Sequence, residues 1–203
     1  MDLKETYNRI AEDWHQDHKP DDWWVEGTDK FISLLNPGDS VLDVGCGSGI
    51  ESKYLIQKGF DVTGIDFSEK MIEIAKREVP EGKFQTLDLK DIDKLDGVFD
   101  AVFMQAVLLH VPKHEAQKVI EKIGDKLKSG GYFYIAVKER RSDRAEEEIV
   151  AENDYGYPYE RFFSYYTIDE IKKYLMDSGF GRMVYENISP AGRTNWIQVI
   201  AQK

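Results

Sequence analysis

The chain has 203 residues, a formal net charge of −11, 41% apolar residues and one cysteine. Those values suit a single domain with a sizeable core, and they exclude an internal disulfide framework or a cysteine-based metal cluster. No run approaches the roughly 20 apolar residues of a membrane span. No long basic run offers a grip on a phosphate backbone, so neither a membrane nor a nucleic acid is an expected partner.

Met1 to Glu5 has no basic head leading into an apolar stretch, so a cytoplasmic location is expected rather than secretion. Leu3, Tyr7, Ile10, Ala11 and Trp14 recur at helical spacing, which predicts an amphipathic helix over residues 3–15. His15 to Trp24 reads as a polar loop carrying the adjacent Trp23 and Trp24. Residues 26–35 read as a second helix, and Asn36-Pro37-Gly38-Asp39 as a turn.

Val41 to Val44 is a short apolar strand that runs into Gly45-Cys46-Gly47-Ser48-Gly49, and an amphipathic segment from Ile50 to Lys58 follows at once. Strand, glycine loop and helix in that order let a ligand approach the backbone closely. Ile50-Glu51-Ser52 stands where a P-loop needs Gly-Lys-Ser/Thr, and Ile50 replaces the third glycine of the dinucleotide fingerprint. Asp43, just before the turn, would repel a pyrophosphate. The loop therefore favours a nucleoside ligand without phosphates, one that carries positive charge.

Further strands are predicted at 61–65, 83–87, 99–105 and 131–138, with helices at 68–78 and 113–127 between them. Such alternation argues for an α/β fold, a mostly parallel sheet covered on both faces. Residues 139–161 are charged and then tyrosine-rich without periodicity. A helix at 167–177 and two strands around Pro190-Ala191-Gly192-Arg193 close the chain as an antiparallel hairpin.

In open α/β sheets, ligands bind beyond the carboxyl ends of the strands. Asp66 ends the second strand, about twenty residues after the loop, where an acid accepts both ribose hydroxyls. Asp88 ends the third strand, placed for an exocyclic adenine amine, with Phe67 and Leu89 walling the ring. Gln105 ends the fourth, beside the loop if that strand is its neighbour.

Val41 to Gly49, Gly64 to Ser68, Phe84 to Asp88, Phe99 to Val102, Leu108 to Pro112 and Leu127 to Gly131 together resemble the class I S-adenosylmethionine-dependent methyltransferases. The resemblance implies a doubly wound, Rossmann-like sheet of seven strands with the last inserted antiparallel. It also implies S-adenosyl-L-methionine as cofactor, S-adenosyl-L-homocysteine as product, and no metal. Gly45, Cys46, Gly47 and Gly49 would border the cofactor, with Asp43 near its ammonium. Asp66 and Asp88 would hold ribose and adenine, with Phe67, Met71, Leu89 and Gln105 around them. Cys46 need only be small.

His110, after the fourth strand, is a candidate general base for a hydroxyl acceptor or else a structural residue. Tyr7, Trp14, Trp23, Trp24, Tyr157, Tyr159 and Arg161 are candidates for a substrate-covering lid. The domain divides into a helical lid segment (1–37), a cofactor core (38–138), a lid insertion (139–166) and a closing helix and hairpin (167–203). The expected activity is in-line methyl transfer to nitrogen or oxygen of a small molecule, by a monomer or homodimer. The alternatives are a tRNA or protein methyltransferase of the same fold, against which the charge argues, and a non-catalytic cofactor-binding module.

Overall fold

The computed structural model describes residues 2–143 and 145–203. In chain order its first elements are α1 (Leu3–His18), α2 (Val25–Ile32), β1 (Ser40–Val44), α3 (Ile50–Gln57), β2 (Asp61–Asp66) and α4 (Glu69–Glu78). Then come β3 (Lys83–Thr86), β4 (Phe99–Gln105), α5 (Lys113–Gly124) and β5 (Leu127–Lys138). The last are β6 (Glu147–Glu152), β7 (Tyr159–Ser164), α6 (Ile168–Asp177), β8 (Arg182–Ala191) and β9 (Thr194–Gln202).

Seven strands form one sheet in the order β3-β2-β1-β4-β5-β9-β8. The first five pair in parallel, and β9 runs antiparallel to both β5 and β8. Successive side chains along a strand face opposite ways, which creates two cores. Leu42, Val102, Phe133 and Ile135 pack on one side with Ile120 of α5 and Leu175 of α6. Val41, Phe103 and Tyr134 pack on the other with Phe31 of α2 and Leu55 of α3. Burial on both faces explains why these strands read as continuous apolar runs.

Three expectations change. The helix expected to end at residue 15 runs to His18, because His15 is buried against the glycine loop and His18 stacks on Trp14 at 4.1 Å. The helix expected to reach residue 127 ends at Gly124; Lys126 already accepts from the Phe99 amide at 2.8 Å and Leu127 opens β5. The stretch read as irregular contains the antiparallel pair β6–β7. Its first strand, Glu147-Glu148-Ile149-Val150-Ala151-Glu152, is mostly exposed and has no apolar face for a periodic pattern to reveal.

Candidate functional site

β1 and β2 deliver the glycine loop and Asp66 to the same edge of the sheet. Gly45, Gly47 and Gly49 all have left-handed backbone, with φ of +70°, +50° and +83°. At Gly45 the requirement is doubled, since a Cβ there would lie 2.3 Å from the Val107 side chain. Asp66 fixes the loop: its carboxylate accepts the Gly47 amide at 3.0 Å and the Ser68 amide at 2.8 Å. Burial pushes its carboxyl up to about 6 despite those backbone donors.

A cavity of about 830 Å³ opens along this edge. Gly45, Cys46, Gly47, Asp66, Phe67, Met71, Asp88, Leu89 and Gln105 all line it. Asp88 caps a short 3-10 turn by accepting the Lys90 amide at 2.8 Å. The Cys46 thiol packs with Ile72, Ala75, Val79 and Phe84, and burial pushes it up, away from the reactive thiolate. Two expected contacts lie elsewhere. Gly49 caps α3 and abuts Ala75, where a Cβ would come within 3.2 Å. Asp43 is 2% exposed behind the loop, accepts from the Ser52 hydroxyl at 2.5 Å, and is pushed up to about 8 by burial.

Glu51 is the acid that faces the cavity from the loop side, and the sequence reading passed over it. It stands in the first turn of α3, one residue past the loop's helix start, where an acid also reads as a simple first-turn residue. The Gln105 amide donates to it at 2.7 Å, and Gln105 in turn accepts from the Tyr134 hydroxyl at 3.3 Å. Desolvation at the cleft floor pushes the Glu51 carboxyl up to about 7.

The roof is α1, with Tyr7 and Trp14 lining the cavity and the Trp14 ring 3.7 Å from where a Gly47 Cβ would stand. His15 pins this helix by a 2.8 Å hydrogen bond with Ser48 in the loop, and Asn8 accepts from the Ser68 hydroxyl at 2.7 Å. The β6–β7 turn clasps the outside of α1. Tyr157 donates to Asp13 at 2.6 Å with Arg9 over its ring, and Arg9 donates to the Pro158 carbonyl at 3.1 Å. Tyr157 and the buried Tyr159, which stacks on Tyr155 at 5.5 Å, belong to this turn against α1 and do not line the cavity.

At the far end of the cavity three distant segments meet. His110 donates from Nδ1 to the Phe162 carbonyl at 2.8 Å, which leaves Nε2 to accept from the Tyr7 hydroxyl at 2.7 Å. Arg161 reaches the same hydroxyl at 3.4 Å and holds Glu152 through two 2.6 Å hydrogen bonds. Burial, with Arg161 and Lys138 nearby, pushes His110 down to about 3, so the imidazole is neutral. Trp23 stacks on Trp196 at 4.2 Å, and the Lys138 ammonium lies 3.8 Å from the Phe163 ring centroid. Trp24 reaches the cavity edge but is mostly packed edge-on to Tyr54. Lys138 and Trp196 were not among the expected site residues; each looks like an ordinary strand position until β5 and β9 pair them directly.

The donor set suits an adenosyl cofactor. Glycine backbone allows close approach, carboxylates at Glu51, Asp66 and Asp88 face the cavity, and the desolvated Glu51 would be relieved by a cationic ligand. Among the described residues there is no group of three His, Cys, Asp or Glu able to hold a metal, and no helix long and apolar enough to cross a membrane.

The model of a methyltransferase-domain family matches residues 13–182. A ubiquinone biosynthesis O-methyltransferase of Coxiella burnetii is 32% identical over 137 residues, covering 59% of this chain and 58% of that protein. The chain thus spans under two thirds of that relative's length. Among solved structures, the 1,6-didemethyltoxoflavin-N1-methyltransferase of Burkholderia thailandensis superposes with a TM-score of 0.78 at 20% identity, covering 99% of this chain and 87% of that one. The magnesium protoporphyrin IX methyltransferase of Synechocystis gives 0.76 at 23% identity, covering 99% and 95%. With the sheet order, the glycine loop and a family match over most of its length, the chain belongs to the class I S-adenosylmethionine-dependent methyltransferases.

Proposed function

We propose that the protein methylates an acidic hydroxyl oxygen, phenolic or enolic, on a small aromatic molecule. The observation that carries this reading is the far end of the cavity, where the walls are aromatic and the charged side chains are Lys138 and Arg161. β5, β7 and the β8–β9 turn contribute no carboxylate to the lining, and the one lining acid on the segment that brings Trp23 is Asp21. An amine acceptor gains from a carboxylate beside it, whereas an oxygen acceptor gains from cations that favour its anion.

Bound S-adenosylmethionine supplies an electrophilic methyl group on sulfur, and the protein supplies position and electrostatics. Glu51, set by Gln105, would receive the ammonium of the methionine portion. Asp66 would accept from the ribose hydroxyls and Asp88 from the adenine amine, between Phe67 and Leu89. Asp43 would act from behind the loop, through Ser52 and the loop backbone. Trp23, Trp196 and Phe163 would flank the acceptor ring. Lys138 and Arg161 would hold its oxygen as the anion, so that a lone pair is ready for in-line attack.

Under this reading His110 positions rather than abstracts. Its acceptor nitrogen is taken by Tyr7, and adding a proton would create a buried cation beside Arg161 and Lys138. The relative named an O-methyltransferase supports oxygen as the acceptor atom. The net charge of −11 and the roof of α1 over the cleft argue against an RNA or protein acceptor. The test is the rate for a series of phenols of graded acidity at neutral pH. The value of kcat/KM should rise as the phenol becomes more acidic; a dependence that is flat, or that follows amine basicity in a parallel aniline series, contradicts the reading.

A further inference from the structure

A second cavity of about 370 Å³ lies between the β6–β7 pair and the β8–β9 turn. It shares Lys138, Phe163, Gly192 and Thr194 with the large cavity, so the two meet at the Lys138 side chain. Beyond Lys138 and Phe163, none of its lining residues has a part in the methyl-transfer reading.

Its charges are unequal. Lys138, Arg141 and Arg193 line it against Glu139 and Glu152. Glu152 is neutralised by Arg161, while Glu139 keeps its charge and accepts from the Asn195 side-chain amide at 2.8 Å. Arg141 is engaged with Asp143 at 3.2 Å. Arg193, exposed at the tip of the β8–β9 turn, makes no ion pair with any described residue. The walls between Lys138 and Arg193 include Val150, Phe163 and Tyr165, which give an apolar passage with a cation at each end.

We propose that this side cavity is a subsite for an anionic substituent, a carboxylate on a short apolar chain, carried by the methyl acceptor. The proposal rests on the reading that the large cavity takes an aromatic hydroxyl. The reacting ring sits against Trp23 and Trp196, its chain passes between Phe163 and the Gly192–Thr194 backbone, and its carboxylate meets Arg193. An Arg fork pairs with a carboxylate in two parallel hydrogen bonds, so this contact selects an acid over a neutral chain of equal length.

The test is calorimetry on the protein saturated with S-adenosylhomocysteine, using para-hydroxyphenylpropionate and para-propylphenol as matched probes. The acid should bind about tenfold or more tightly than the neutral phenol. That ratio should collapse towards unity in Arg193→Gln and fall only partway in Arg193→Lys, which keeps the charge without the fork, at an exposed turn position where neither change threatens folding. No preference for the acid, or a preference that survives in Arg193→Gln, overturns the subsite. Whether either probe gains a methyl group on oxygen with S-adenosylmethionine is read separately by mass. Acid preference without O-methylation would fault the acceptor-atom reading and leave the subsite standing.

Discussion

Tyr7 and His110 lie 103 residues apart in sequence, and the Tyr7 hydroxyl donates to the His110 Nε2 at 2.7 Å. The bond joins the roof helix to the loop beyond β4, and its direction follows from the His110 Nδ1–H, which is committed to the Phe162 carbonyl. The position of α1 and the orientation of the His110 imidazole are therefore coupled. A single such hydrogen bond contributes about 1 kcal/mol net, and its larger role is to fix where the Tyr7 oxygen points.

If His110 positions Tyr7, His110→Asn should raise the acceptor KM several-fold while cofactor affinity stays within about twofold of wild type. The pH profile provides the sharper readout. A neutral imidazole held down to about 3 gives no acidic limb near neutrality. An acidic limb between about pH 6 and 7 in the kcat profile of wild type, lost in His110→Asn, would instead make His110 the general base.

If Glu51 receives the cofactor's ammonium, it links cofactor binding to pH. Its carboxyl is pushed up to about 7 by desolvation, so near pH 6 it is mostly protonated in the free cleft. A cationic ammonium favours the carboxylate and lowers that value, so binding near pH 6 releases a proton and affinity rises as pH climbs towards about 7. Calorimetry in buffers of different ionisation enthalpy measures the release, which should largely disappear in Glu51→Gln. Equal proton release in that variant would assign the linkage to another group, with Asp66 next in line.

Asp66→Ala removes the acceptor of the Gly47 and Ser68 amides as well as the group proposed to hold the ribose. A lost charged acceptor costs about 1.5–3 kcal/mol, which is roughly 10- to 150-fold in cofactor affinity. Binding of S-adenosylhomocysteine by calorimetry checks this, and an unchanged Kd would mean that β2 does not supply the ribose contact.

Gly45→Ala forces a side chain into left-handed backbone at φ +70° and sets a Cβ 2.3 Å from Val107. The backbone strain alone costs about 1–2 kcal/mol. The expected result is a lower Tm and loss of cofactor binding, with the double variant Gly45→Ala/Val107→Ala recovering only part of the stability. Full recovery would show that the clash, rather than the backbone conformation, is the constraint.

The sheet, and the residues that line the glycine-loop end of the cleft, were legible because each depends on a local pattern. Buried strands are apolar runs, the loop needs its glycines, and Asp66 and Asp88 stand at strand ends by simple counting. The opposite end, where the acceptor is proposed to sit, depends on long-range pairing. Lys138 and Trp196 become neighbours only when β9 inserts antiparallel beside β5, and Arg161 enters only because β6 and β7 pair despite an exposed, acidic first strand. Glu51 was hidden by an ordinary reading, that of an acid at a helix N-terminus. Asp43, legible as an acid in the motif, is turned inward to Ser52 by the close packing of α3 on the loop.

The most direct test of the account is to supply S-adenosylmethionine with an isotopically labelled methyl group together with matched phenol and aniline acceptors of the same shape, and to locate the label by mass spectrometry. The account predicts label on the phenol oxygen, in preference to the aniline nitrogen, and less of it in Lys138→Ala. Label on the aniline nitrogen with none on oxygen would contradict it.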